Sequence, residues 1–171
     1  MTVQSTPRPT DASYVAFVEV AWQRHMRLAL LLTGDRWRAE ELLQDSLVKM
    51  YQRWRKLSQL DDPHAYLHRC LVNNHTSIWR RLRRERLVAD VPDRAASGGG
   101  VDHDAIALRR ALLSLPPRQR AVVVLRHYED LPEREVAKVL GCSIGTVKSQ
   151  HARAMEKLRH LVDQPSRTGS R

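Results

Sequence analysis

The stretch Leu131-Pro-Glu-Arg-Glu-Val-Ala-Lys-Val-Leu-Gly-Cys-Ser-Ile-Gly-Thr-Val-Lys-Ser-Gln-His-Ala-Arg-Ala-Met-Glu-Lys-Leu-Arg159 reads as two short helices joined by a tight turn. Pro132 suits a helix start, because its missing N–H costs nothing there and its fixed φ is already helical. Glu133 and Glu135 follow at the positive end of the helix dipole. Val136, Ala137 and Leu140 share one helical face. Gly141 is placed to end the helix with a positive φ, and Ser143 to cap the next one. That second helix has an inner face of Val147, Ala154 and Leu158. Thr146, Lys148, Ser149 and Arg153 lie opposite, all able to reach phosphates or base edges. The pattern is a helix-turn-helix whose second helix fits a DNA major groove.

Composition supports a polyanionic partner. The 171 residues carry 29 Lys+Arg against 19 Asp+Glu, a net charge of +10. The longest apolar run, around Leu28–Leu32, is far too short to span a bilayer. Met1–Asp11 is rich in Thr, Ser and Pro and lacks the apolar core of a secretory signal. Cys70 and Cys142 lie far apart in sequence and are expected to be reduced thiols in a cytoplasmic protein.

Strand signals are scarce, and the chain divides by charge and composition. A first helix is expected from about Ala12–Ser13, with the stripe Val15, Val18, Trp22, Met26, Ala29 and Leu32. Thr33-Gly34-Asp35 ends it and caps a second helix, Arg36 to about Lys56, burying Ala39, Leu43, Leu47, Met50 and Trp54. Asp61-Asp62-Pro63 opens a third, running through Leu67, Leu71, Ile78 and Leu82 with Asn74 in the same stripe. Its end, Trp79–Arg86, holds five arginines in eight residues. A basic helix end preceded by polar and aromatic groups suits a nucleic-acid backbone with some base contact. Val88–Asp104 offers no helix face and reads as a flexible linker. Residues 1–87 hold 15 Lys+Arg and 9 Asp+Glu, residues 88–104 one Arg and four Asp, and residues 105–171 hold 13 and 6. The spacing thus predicts an all-α chain of two small basic helical bundles, 12–87 and 105–162, on an acidic tether. In the second bundle Ile106–Leu115 precedes a Pro116-Pro117 turn. Ala121, Val124, Leu125 and Tyr128 are expected inward there, and Arg118, Arg120 and Arg126 outward. Pro165–Arg171 is expected to fray.

In order, these pieces resemble bacterial RNA polymerase sigma factors of the extracytoplasmic-function (ECF) type, particularly their SigE-like subgroup. Three segments carry the resemblance: Asp35–Tyr51 (region 2.2), Ala65–Arg81 (regions 2.3 and 2.4) and Leu112–Leu158 (region 4). It implies no catalysis, no cofactor and no metal, but promoter specificity lent to core polymerase. By similarity, Glu40, Glu41, Gln44 and Asp45, with Leu47 and Met50 as an apolar component, would meet the β′ clamp helices, and the second module the β flap. Arg69, Asn73, Asn74, Ser77, Arg80, Arg81 and Arg84 would read and open the promoter −10 element, where capture of an unstacked base offsets a few kcal/mol of extrusion cost. Ser77 stands where relatives often carry Asp, and either asparagine could instead bridge the bundle core. Arg126, Ser143, Thr146, Lys148, Ser149, Gln150 and Arg153 would meet the −35 element. Gln150 replaces a frequent Arg, exchanging a phosphate or guanine contact for an amide suited to adenine. An anti-sigma factor is a further partner the resemblance allows. A polymerase-independent helix-turn-helix regulator is the competing reading, though nothing reads as a dimerisation helix. A metal site is a weaker one: His64 and His68 are i, i+4, with Cys70 and His75 nearby, but no His-Glu-x-x-His pattern occurs.

Overall fold

A computed structural model describes residues 9–86 and 103–162, and every regular element among them is an α-helix. These are α1 (Pro9–Thr33), α2 (Arg36–Tyr51), α3 (Trp54–Leu57), α4 (Pro63–Arg86), α5 (His103–Ser114), α6 (Pro117–His127), α7 (Glu133–Leu140) and α8 (Ile144–Val162). Most of the expected linker, and the C-terminal tail from Pro165, lie outside the described residues; the linker's last two positions, His103 and Asp104, already belong to α5.

The N-terminal module packs α1, α2 and α4 about one core. Asp35 caps α2 through a 3.0 Å bond from the Arg38 N–H, and Asp62 Oδ1 caps α4 by accepting from the N–H groups of His64 and Ala65. Of the expected α1 stripe, Ala29 and Leu32 are fully buried and Val18, Trp22 and Met26 pack against the core, so only Val15 departs from it. Val15 is turned to solvent, and Tyr14, Phe17, Ala21, His25, Leu28 and Leu32 face inward. The reason is aromatic packing at the bundle end. Phe17 lies 4.8 Å from the Trp54 ring, and Tyr14 lies 5.2 Å from it while its hydroxyl donates to the Leu47 carbonyl at 2.6 Å. Burial, with Tyr51 beside it, pushes the Tyr14 hydroxyl pKa up to about 12. The second expected helix is broken after Tyr51 and resumes as α3, which keeps Trp54 and Leu57 in the core.

In the C-terminal module, α6 lies against α7 and α8. Gly141 ends α7 at φ +62°, and the Cys142 N–H reaches back to the Ala137 carbonyl at 3.0 Å. Ser143 Oγ caps α8 by accepting from the Thr146 N–H at 3.1 Å. Val147 and Ala154 are fully buried, so the reading of this motif holds in the structure.

The two modules are not beads on a tether: across them α4 meets α6 and α7, and α1 meets α5 and α6. Arg120 is central to this contact and corrects the outward expectation. It is 6 % exposed, and its guanidinium donates to the carbonyls of Leu112, Leu113 and Leu115 at 2.9–3.1 Å and to that of Leu32 at 2.5 Å. Those carbonyls sit at the C-terminal ends of α5 and α1, where helices leave acceptors unsatisfied and the dipole favours a cation. Burial pulls the Arg120 pKa down to about 10, which leaves it charged at neutral pH. Tyr128 is likewise not inward: it is 41 % exposed, under the Arg27 guanidinium at 5.9 Å.

Candidate nucleic-acid and polymerase interfaces

Helix α4 sorts the candidate −10 residues by face. Arg69, Asn73, Ser77, Arg80 and Arg84 recur at helical spacing and are all exposed, so they form one polar stripe. Asn74 leaves that set. It is 6 % exposed, its amide donates to Ser46 Oγ at 2.9 Å, and its oxygen accepts from Lys49 Nζ. Ser46 Oγ in turn donates to the Leu42 carbonyl at 2.7 Å. A buried amide must find partners, and Asn74 finds them on α2 rather than in DNA. Arg81 is exposed but one position off the stripe. The aromatic group beside the arginines, Trp79, is covered by Arg83 at 5.2 Å.

On α2, Glu41, Gln44 and Asp45 are exposed, and Glu40 is half-buried beside Arg36 at 2.9 Å. Leu47 and Met50, expected to supply the apolar part of a docking patch, are instead 5 % and 0 % exposed and belong to the core. Both lie on the Leu43 side of the helix. The apolar groups at the surface are Trp37 at 68 %, Val48 at 58 % and Tyr51 at 49 % exposure. Trp37, Glu41, Gln44 and Val48 share one face, and an exposed tryptophan at i−4 from an acidic residue was the signal available in the sequence.

On α8, Lys148, Ser149 and Arg153 are exposed, while Thr146 and Gln150 are half-buried. The Thr146 and Ser143 hydroxyls are paired at 2.9 Å, and Lys148 lies 3.8 Å from Glu133. Arg126 is drawn into the turn before α7, donating to the Leu131 carbonyl at 2.6 Å. His127 and His151, not singled out in the sequence, stack with their Nε2 atoms 2.8 Å apart beside Gln150. Burial and the nearby His127 and Arg126 lower the His151 pKa.

Of the residues weighed as metal ligands, His64 and His68 each meet His25 of α1. His25 Nε2 meets His64 Nδ1 at 2.9 Å, and the His25 and His68 rings are edge-to-face at 4.9 Å. Among the described residues no group of three or more His, Cys, Asp or Glu is placed to hold a metal ion, and no helix is long and apolar enough to cross a membrane.

A helical chain with a capped helix-turn-helix and a second, arginine-rich polar helix defines a two-module nucleic-acid-binding protein. Comparison with known proteins is more specific. The family models for sigma-70 region 2 and sigma-70 region 4 match residues 22–85 and 105–158. The RNA polymerase sigma-E factor of Streptomyces avermitilis is 39% identical over 140 residues, covering 81% of this chain and 78% of that protein. The ECF RNA polymerase sigma factor SigM of Mycobacterium tuberculosis is 33% identical over 144 residues, covering 80% and 70%. Among solved structures, the sigma factor RpoE of Bartonella quintana, crystallised with the anti-sigma factor NepR, aligns with a TM-score of 0.69 at 25% identity over 88% of this chain and 97% of that one. The chain belongs to the sigma-70 family, in its ECF branch, and is an RNA polymerase sigma factor.

Proposed function

We propose that this chain binds core RNA polymerase through the α2 face, reads and opens the −10 element with the α4 stripe, and finds the −35 element with α8. The observation that carries the reading is the α4 stripe. Asn73 and Ser77 offer hydrogen bonds to an unstacked base, and the flanking Arg69, Arg80 and Arg84 hold the phosphates on either side. Trp37, Glu41, Gln44, Asp45 and Val48 form the mixed polar and apolar patch suited to a protein partner. Two small DNA contacts joined through one polymerase gain from effective concentration, so neither needs to bind tightly alone. The unit boundaries 12–87 and 105–162 fit this division of labour. The chain lends specificity and performs no bond chemistry itself; it acts in the cytoplasm, and an anti-sigma factor is its natural antagonist.

Permanganate footprinting of promoter thymines tests the central assignment. With core polymerase, Asn73→Ala and Arg80→Ala should each lower −10 melting at least tenfold, while Lys148→Ala and Arg153→Ala weaken occupancy of the −35 end. Unimpaired melting in the first pair rejects the α4 assignment.

A further inference from the structure

We propose that the cleft between α4 and the start of α6 is a binding site for a small oligophosphate anion, with inorganic pyrophosphate as its simplest form. This site is additional to promoter reading and does not depend on it.

The cleft has a volume of about 270 Å³. Its polar lining is Asn73, Thr76, Ser77 and Arg80 from α4 and Arg118 from α6, with Val72 and Leu140 as the apolar part. Every polar side chain in that set can donate a hydrogen bond, and none is a carboxylate. The Thr76 hydroxyl is committed to the Val72 carbonyl at 2.9 Å, which leaves Asn73 and Ser77 as the neutral donors. Arg118 gives one N–H to the Leu140 carbonyl at a long 3.5 Å, so most of its donor fork has no other partner among the described residues.

Charge makes the cleft unlike the rest of the surface. Arg36, Lys138 and Lys148 each have a carboxylate at 2.9–3.8 Å. Arg80 and Arg118 form no ion pair among the described residues, yet they bring like charge to one cleft. Arg118 is also the second residue of α6, where the helix dipole adds positive potential. An anion between the two guanidinium groups turns their repulsion into two attractions. Guanidinium forks match phosphoryl oxygens bidentately, so two forks from two helices suit two linked phosphoryl groups better than a halide. Size sets the upper bound. Pockets for drug-sized ligands run from about 300 Å³ upward, so this cleft takes pyrophosphate but not a nucleic-acid strand.

The test is isothermal titration of the full chain with sodium pyrophosphate, without divalent cations, in about 150 mM NaCl to screen exposed charge. The expected result is one site per chain with a micromolar Kd, and much weaker binding of sulfate at equal ionic strength. Arg118→Gln should weaken pyrophosphate about tenfold, and Ser77→Ala, which leaves the charge intact, about threefold. Arg55→Gln removes an exposed arginine outside the cleft and should change nothing. Circular dichroism should show unchanged helicity in all three. A hundredfold excess over Kd should raise the wild-type Tm by about 5 °C. Affinity no better than that for sulfate overturns the site, as does full affinity in Ser77→Ala. Binding that survives Arg118→Gln, or falls equally in Arg55→Gln, is attraction to net charge and also overturns it. A fluorescein-labelled thymidine strand separates free anion from nucleic-acid backbone. Arg118→Gln should leave its affinity within about twofold. A strand that loses as much as pyrophosphate does makes the cleft part of a nucleic-acid surface and overturns the proposal.

Discussion

Replacing Arg120 by methionine keeps most of the side-chain volume and removes the guanidinium that four main-chain carbonyls share. Each orphaned carbonyl costs about 1 kcal/mol at the low end, where water partly recovers it, so four cost about 4 kcal/mol. Part of this returns, because the guanidinium no longer has to be desolvated; that penalty is what pulls its pKa from 12.5 to about 10. A net loss of about 1 kcal/mol remains, equivalent to roughly 2–4 °C in Tm for a chain of this size. Differential scanning calorimetry is the assay. Because one of the four carbonyls belongs to the other module, the wild-type chain should melt in one transition and Arg120→Met in two. Arg120→Lys should fall between them, since a compact ammonium cannot span four acceptors. A shift under about 2 °C with a single transition would refute the role given to Arg120.

Acid should destabilise the N-terminal module. Burial, then the like charges of His68, His64 and Arg24, push His25 down to about 3, and burial with Arg120 nearby pushes His75 to about 4. Both folded-state values lie below the unfolded value of 6.5. The stability they support is therefore present above pH 6.5 and is lost as pH falls toward 4, by about 2 kcal/mol per histidine at pH 5. Urea midpoints measured from pH 8 to pH 5 should fall accordingly, and His75→Leu should flatten the profile. Asn74→Ala should cost about 1–2 kcal/mol in urea denaturation by stranding its buried partners on α2, whereas Asn73→Ala should leave stability unchanged and impair promoter melting. Gly141→Ala should cost about 1 kcal/mol, because its φ is +62° yet nothing lies within 4 Å of an added Cβ. Gly34→Ala should cost more, with Leu113 in the way as well, and the difference appears in thermal melts. Lys148→Ala and Arg153→Ala should each lower the salt slope of −35 duplex binding by about one, as loss of one phosphate contact requires.

Local features were legible from sequence because short-range stereochemistry determines them. The Gly141 stop, the Ser143 and Asp62 caps and the inner face of α8 follow from neighbours within four residues. Asn74 was only half legible: it falls in the stripe of Leu67, Leu71 and Ile78, yet the resemblance set it among the −10 residues, and its bond to Ser46 keeps it in the core. What escaped was long-range. The partners of Arg120 lie 5–88 residues away, and a charged residue after two prolines carries no mark of that. His25 is polar yet buried, against the His64 and His68 rings of α4, and Tyr14 and Phe17 take the place expected for Val15 by packing on Trp54. On α2, period gave Leu47 and Met50 a core role, while the resemblance gave them a docking role. A helix has only one side for each, and the Leu43 side won. The docking of the two modules follows from side chains that meet only after both have folded.

Transcription in vitro with core RNA polymerase on a genomic fragment library is the most direct measure of the central claim. The account predicts discrete start sites that appear only when this chain and core polymerase are both present, and that vanish with Arg80→Ala. Tight, specific binding to promoter duplex by the chain alone, indifferent to core polymerase and yielding no transcripts, would contradict it.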